Sequence, residues 1–240
     1  MPGDFTHIWV YLAASPLLWL VVTLGVYVLA ASLYQRTNGF ALAQPALVSV
    51  VVIAAILLVT GVPYERYFEG AQFIHFLLGP ATVALAVPLY QNVERMRRAI
   101  LPAGIALVCG SATAVVSAVV IARSLGASDV VLRSLAPKSV TAPIAMGISE
   151  QIGGLPSLTA ALVILTGIAG AMLVPSLFVA ARISDPRARG LAIGTAAHGI
   201  GTARALLLGS TEGAFSGLAM GLNGVVSSLI VPPLVAALLR

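Results

Sequence analysis

Ser128-Asp-Val-Val-Leu-Arg-Ser-Leu-Ala-Pro-Lys-Ser-Val-Thr-Ala-Pro-Ile-Ala-Met-Gly-Ile-Ser-Glu-Gln-Ile-Gly-Gly154 is the stretch on which the topology turns. It is apolar enough for a membrane, yet Pro137 and Pro143 sit near its middle with Lys138 between them. Proline removes a backbone donor and clashes with the preceding turn, so roughly ten residues on either side suit two half-helices better than one unbroken crossing. The segment is therefore read as broken or re-entrant.

The rest of the chain is of the same kind. Of 240 residues, 59% are hydrophobic and 9% charged, and the mean hydropathy is +1.03. A soluble protein carries about 25% charged residues, so the surplus apolar surface is expected to face lipid. Runs without Asp, Glu, Lys or Arg cover 5–35, 37–64, 70–93, 99–122, 151–181 and 213–239. Each exceeds the roughly 20 residues that cross the hydrocarbon. Adding 128–154 and 187–211, interrupted by Lys138 and Arg204, gives eight membrane segments in an all-α polytopic protein. Residues 1–240 are read as a single integral membrane domain in a cell inner membrane. The net charge of +5 comes from short basic clusters between apolar runs, the pattern of cytoplasmic loops and not of a nucleic-acid surface. Cys109 is the one cysteine, so no intrachain disulfide forms.

Orientation follows from the basic loops. No Lys or Arg precedes the first run and Arg36 follows it, which puts the N-terminus outside, with Phe5, Trp9 and Tyr11 as an interfacial anchor. Arg95, Arg97 and Arg98 then fall inside, and Arg182, Arg187 and Arg189 belong inside as well. Three segments separate these loops, and an odd number of crossings cannot return to the same face. A re-entrant 128–154 resolves the conflict; the alternative is a loop that breaks a statistical rule.

A weak internal repeat relates 70–154 to 157–239. Val87-Pro-Leu-Tyr90 parallels Val174-Pro-Ser-Leu177, Gly110-Ser-Ala112 parallels Gly201-Thr-Ala203, and Pro143–Ser149 parallels Gly217–Asn223. Chance likeness in an apolar sequence is the other explanation. Duplicated halves with interrupted helices are the architecture of secondary transporters, whose sites lie near the midplane.

Two constellations could carry chemistry. Around Pro137, a half-helix that starts after the break points unpaired N–H groups and its positive end at the break, where Lys138, Ser139 and Thr141 add charge and donors. That composition suits a carboxylate; the bland reading is a kinked helix with a snorkelling lysine. His198-Gly-Ile-Gly-Thr-Ala-Arg204 is the second. Gly199 and Gly201 loosen the backbone, Thr202 offers a hydroxyl, and Arg204 carries a permanent charge whose planar fork matches a carboxylate. A structural pair of Arg204 with Glu212 or Glu150 is the alternative. His198 and Glu150 are candidate proton carriers, with helix packing and an interfacial cap as their plainer roles. Thr82 and Asn223 could complete the pocket or serve as packing contacts. Gly190–Gly194 and Gly217–Gly221 have small-xxx-small spacing, suited to close helix contacts and a homodimer. Neither a catalytic residue nor a metal or cofactor is expected: Asp4, Asp129 and Asp185 are terminal or in loops, and no enzyme motif occurs.

Leu78–Tyr90, Pro137–Met146 with Ser149-Glu150 and Gly153-Gly154, and His198–Arg204 together resemble the LrgB/CidB family, over about residue 15 to the end. That family includes antiholin-like bacterial proteins linked to murein hydrolases and lysis, and the membrane domain of plastidal glycolate/glycerate translocators. The resemblance implies small monocarboxylates as cargo, of the glycolate, glycerate, pyruvate or lactate class, and a small membrane partner of the LrgA/CidA type. The expected function is a secondary transporter working by alternating access, coupled to protons. Lys138 and Arg204 would hold the carboxylate, and Ser139, Thr141, Thr202 and Gly201 would orient it beside Pro137, Thr82 and Asn223. The other reading is an antiholin-like regulator of membrane permeability.

Overall fold

A computed structural model describes residues 16–37, 40, 43–77, 80, 83, 84 and 86–239. The Phe5, Trp9 and Tyr11 anchor and Thr82 lie outside the described residues. The described residues are helical, with short turns, and fall into two compact units, Met1–Ala84 and Leu85–Arg240.

In the first unit, α1 (Pro16–Arg36) opens on a proline, which is favoured at a first helical turn, and its 21 residues reach about 31 Å. Two of its hydroxyls bond the preceding turn, Thr23 Oγ1 donating to Trp19 O and Ser32 Oγ to Val28 O, and Thr23 Oγ1 also lies 3.2 Å from the Tyr67 hydroxyl. α2 (Pro45–Thr60) is capped by Gln44, whose side chain accepts from Leu47 N, and stops at Gly61, whose φ of 64° is left-handed. α3 (Tyr64–Phe76) packs on α1 through Gly70, which lies against Pro16 O and Trp19 Cβ. The Trp19 ring meets Tyr67 edge-on at 5.9 Å.

The second unit begins with α4 (Ala86–Gln91) and α5 (Val93–Ser124), and continues with α6 (Asp129–Leu135), α7 (Ala142–Gln151) and α8 (Pro156–Ala180). It ends with α9 (Pro186–Leu208) and α10 (Ser210–Leu238). Its apolar core joins Val115 and Val119 of α5, Ala136 and Val140 of the 136–141 turn, Ala145 and Ile148 of α7, Val163 of α8, and Val231 and Val235 of α10.

The 128–154 segment is broken, as read from its prolines. α6 and α7 are 7 and 10 residues long, about 10 and 15 Å, and neither crosses a bilayer of about 30 Å. The chain leaves Ser134 and comes back to it. Leu155 N donates to Ser134 Oγ (2.8 Å), the Thr159 hydroxyl lies 2.9 Å from Ser134 O and 2.7 Å from Ser149 Oγ, and Arg133 Nη1 donates to Ile152 O. Arg133 and Ser134, at the end of α6, thus stand level with the end of α7, and residues 135–151 form a re-entrant hairpin with its base closed there and its tip at 136–141.

α9 departs from the expected crossing. Its length and composition suit a span, but the backbone breaks at His198 (φ 41°, ψ −134°) and the second half folds back on the first. Gly201 packs against Ala197 and Ile193, although a straight helix separates residues eight apart by about 12 Å. The partners on α10 reverse accordingly. Gly190 and Gly194 meet Glu212–Phe215 and then Ser216–Ala219, whereas Thr202 meets Ser216 and Leu206 meets Gly213. Arms 186–197 and 199–208 therefore form a second hairpin with its tip at His198.

The two hairpins enter from opposite faces. α5 and α10 run parallel, since Ser111 bonds Ser227 and Arg123 bonds Leu238 O, and α8 runs the other way, since Gly170 meets Ala197 and Phe178 meets Ile193 on the 186–197 arm that runs along α10. The first hairpin opens where α5 ends and the second where α8 ends. Arg98, Ser184, Asp185, Pro186, Arg187 and Thr211 line one cavity of about 600 Å³, so the two basic loops share a face. The described residues do not establish the count of eight membrane segments. α1, α5, α8 and α10 are unbroken and long enough to cross, while α2, at 16 residues, is shorter than the usual span. Within 70–93, expected as one span, α3 ends at Phe76 with a turn at Leu77 and α4 covers Ala86–Gln91; residues 78, 79, 81, 82 and 85 lie outside the described residues.

Candidate functional site

The hairpin tips meet at mid-depth against the middles of α8 and α10. The first tip turns through Pro137, with Lys138 N bonded to Leu135 O and Val140 N to Pro137 O. Lys138 Nζ donates to Ser139 Oγ (3.3 Å) and is half-buried. Thr141 is the N-cap of α7, with Pro143 in the first helical turn, so that helix starts at the tip with its positive end there.

The second tip is set by His198, which is 4% exposed. Its Nε2 lies 2.9 Å from Val163 O in α8. A carbonyl only accepts, so Nε2 carries the hydrogen. A β-carbon at Gly167 would stand 2.7 Å from the imidazole, so α8 reaches this tip only because glycine is there. Thr202 Oγ1 donates back to His198 O (2.8 Å) and shares a bond with Ser216 Oγ (2.9 Å). The 199–208 arm also starts at its tip, so a second positive helix end faces the middle of the fold.

Asn223 joins the two tips. Its Nδ2 donates to Ser139 O (3.3 Å) and to Thr195 O (3.1 Å), and its Oδ1 accepts from Ser227 Oγ (3.5 Å), which in turn bonds Ser111 of α5. Both partners of the nitrogen are carbonyls, so both amide hydrogens are committed to the protein.

Of the residues singled out from sequence, Pro137, Lys138, Ser139, Thr141, His198, Gly201, Thr202 and Asn223 lie at or beside the tips. Arg204 is half-buried on the returning arm, about 9 Å along the helix from the break. Glu150 is exposed at the base of the first hairpin, where its carbonyl accepts from Gly153 N. Gly190 and Gly194 serve contacts within the chain, while a β-carbon at Gly221 would meet open space. The acidic residues of this unit, Glu94, Asp129, Glu150, Asp185 and Glu212, all stand at helix ends, so the charges nearest mid-depth are basic.

Sequence reasoning missed Thr195, Ser216, Ser227, Ser111 and the Ser134–Ser149–Thr159 cluster. Single hydroxyls in apolar helices carry no local sign of their partners, although the four-residue spacing of Asn223 and Ser227 places those two on one helix face.

The LrgB-like family model matches residues 23–237. The chain is 38% identical over 213 residues to the protein YwbG of Bacillus subtilis (strain 168), covering 89% of this chain and 94% of that one. It is 34% identical over 218 residues to the antiholin-like protein LrgB of Bacillus mycoides (strain KBAB4), covering 91% and 95%, and equally so to that of Bacillus cereus (strain B4264). No solved structure matches. With the family model matching residues 23–237 and relatives of this similarity aligned over 89–91% of this chain, the chain belongs to the LrgB family.

Proposed function

We propose that this chain acts as an antiholin-like membrane protein, regulating membrane permeability and through it murein hydrolase activity and lysis. The observation that carries this reading is the 34% identity to proteins named antiholin-like LrgB over nine-tenths of both chains. A small holin-like partner of the LrgA/CidA type belongs to the same proposal, as does homodimerisation. So does a cytoplasmic position for the face bearing Arg95, Arg97, Arg98, Arg182, Arg187 and Arg189, which the positive-inside rule supports. Deletion of the gene should change lysis and murein hydrolase activity, and restoring the chain should reverse the change. No difference in either would reject the proposal.

A second reading, transport of small monocarboxylates coupled to protons, is favoured by one feature of the geometry. Two half-helix N-termini and Lys138 converge at mid-depth with the acidic residues held away at helix ends, an arrangement suited to one small anion. Under it Lys138 and Arg204 bind the carboxylate, and His198 carries the proton. Purified protein in liposomes should take up labelled glycolate, glycerate or pyruvate saturably, and Lys138→Ala should abolish the uptake. A flat, non-saturable signal identical to that of empty liposomes would remove this reading and leave the first standing.

A further inference from the structure

The two stretches that precede α10 share one plan. A crossing helix, α5 or α8, ends at a face, and the chain re-enters from that face as a hairpin whose second arm begins at mid-depth. Each break carries a basic residue, Lys138 in one and His198 in the other. Because α5 and α8 run in opposite directions, the second copy is upside down relative to the first. The motif matches in sequence set α5 against α9; this plan sets α5 against α8 and the α6–α7 hairpin against α9.

We infer that residues 93–151 and 156–208 are two halves of an inverted repeat, whose hairpins are gates to opposite faces, and that Asn223 is the positioning residue latching both tips.

The physical argument starts from how each hairpin is held. The bases are fixed by covalent connection to neighbouring helices and, in the first, by the Arg133–Ile152 and Ser134–Leu155 bonds. A tip has no such continuity and is held by side-chain contacts alone. Asn223 belongs to α10, which has no counterpart in the repeat, and one amide group bonds a carbonyl from each hairpin. Losing the amide leaves two carbonyls at the tips without their donor in an apolar setting, and water is then their best partner. Freeing the first tip opens mid-depth toward the face where α5 ends. Freeing the second opens it toward the face of the basic loops.

This gate role deepens the solute-conducting reading and rests on it, but its test needs no uptake. In a Cys109→Ser background, Ser139→Cys and Thr195→Cys place single thiols at positions only 8% and 7% exposed. An impermeant maleimide is applied to right-side-out and to inverted vesicles. The Ser139→Cys thiol should label only from the α5-end face and the Thr195→Cys thiol only from the basic-loop face. Adding Asn223→Ala should speed both by about tenfold, the factor expected for losing one or two buried hydrogen bonds, and Asn223→Gln should recover part of the protection. Labelling of both thiols from one face overturns the inverted gates, and unchanged rates in folded Asn223→Ala overturn the latch. If Asn223→Ala does not fold, the sidedness of the two single-cysteine proteins still decides the gates, and the Asn223→Gln rate decides the latch. Absence of solute uptake with the expected sidedness rejects transport and leaves the gate geometry intact.

Discussion

Ile193 lies against Gly201, with its Cγ2 2.8 Å from where a β-carbon on Gly201 would stand. These residues are eight positions apart in what length alone reads as one span, and their contact reports a reversal at His198. The hairpin closes because position 201 has no side chain.

Gly201→Ala should therefore damage the fold. Its methyl would press on Ala197 Cβ, on Ile193 Cγ2 and on the Ile193 carbonyl at 3.2 Å, and overpacking of this kind costs about 1–3 kcal/mol. Thermal unfolding in detergent measures it. Gly104→Ala in α5, where nothing lies within 4 Å, is the matched control and should be neutral or slightly stabilising. Equal melting temperatures for the two variants would contradict the hairpin.

The base of the first hairpin makes a second prediction. Ser134→Ala removes the 2.8 Å acceptor of the Leu155 N–H, a part-buried bond, and should destabilise by about 0.5–1.5 kcal/mol. Gly154→Ala should be worse, because a β-carbon there meets Ser149 Oγ and the backbone N of Ser134 at 2.9 Å. Denaturant or thermal melts that match wild type for both would refute this account of the turn.

Sidedness of the loops is a third test. In the Cys109→Ser background, cysteines at Leu125 and Leu155 should react from one face and cysteines at Ser184 and Ser210 from the other. A re-entrant α9 demands that Ser184 and Ser210 agree. Their reaction from opposite faces would make α9 a crossing helix.

The start of α9 predicts a titration. Asp185 caps the helix by accepting from Arg187 N (2.8 Å) and pairs with the Arg187 guanidinium (2.6 Å), and the hydrogen bonds from that side chain hold its carboxyl down at about 2 from an ordinary 3.8. A depressed folded value means the cap's contribution is complete above about pH 4 and is lost as pH falls through 2. A carbon-13 carboxyl titration should find the Asp185 midpoint near 2. A midpoint near 3.8 would mean that the pair does not persist in solution.

The break in the first hairpin was legible from its residues, since Pro137 and Pro143 near the middle of one segment disfavour an unbroken helix, and Pro143 is accommodated by starting a new one. Lys138, Ser139 and Thr141 follow it because they are part of the same turn. His198 and its glycines were legible as a weak point, yet not as a reversal, because glycine permits many conformations and dictates none. Asn223 read as one polar residue in an apolar span, with no sign that its amide ties together carbonyls 84 and 28 residues away.

By itself the sequence determined the membrane class, the all-helical character, the broken 128–154 segment and the family, because each rests on composition or on short motifs. Tertiary structure alone decided that α9 turns back, that the two hairpins enter from opposite faces, and that Asn223 holds their tips. The reason is physical: apolar runs specify the solvent a helix prefers, whereas direction and register are set by close approaches at Gly167, Gly190, Gly194 and Gly201 and by buried hydrogen bonds between distant residues.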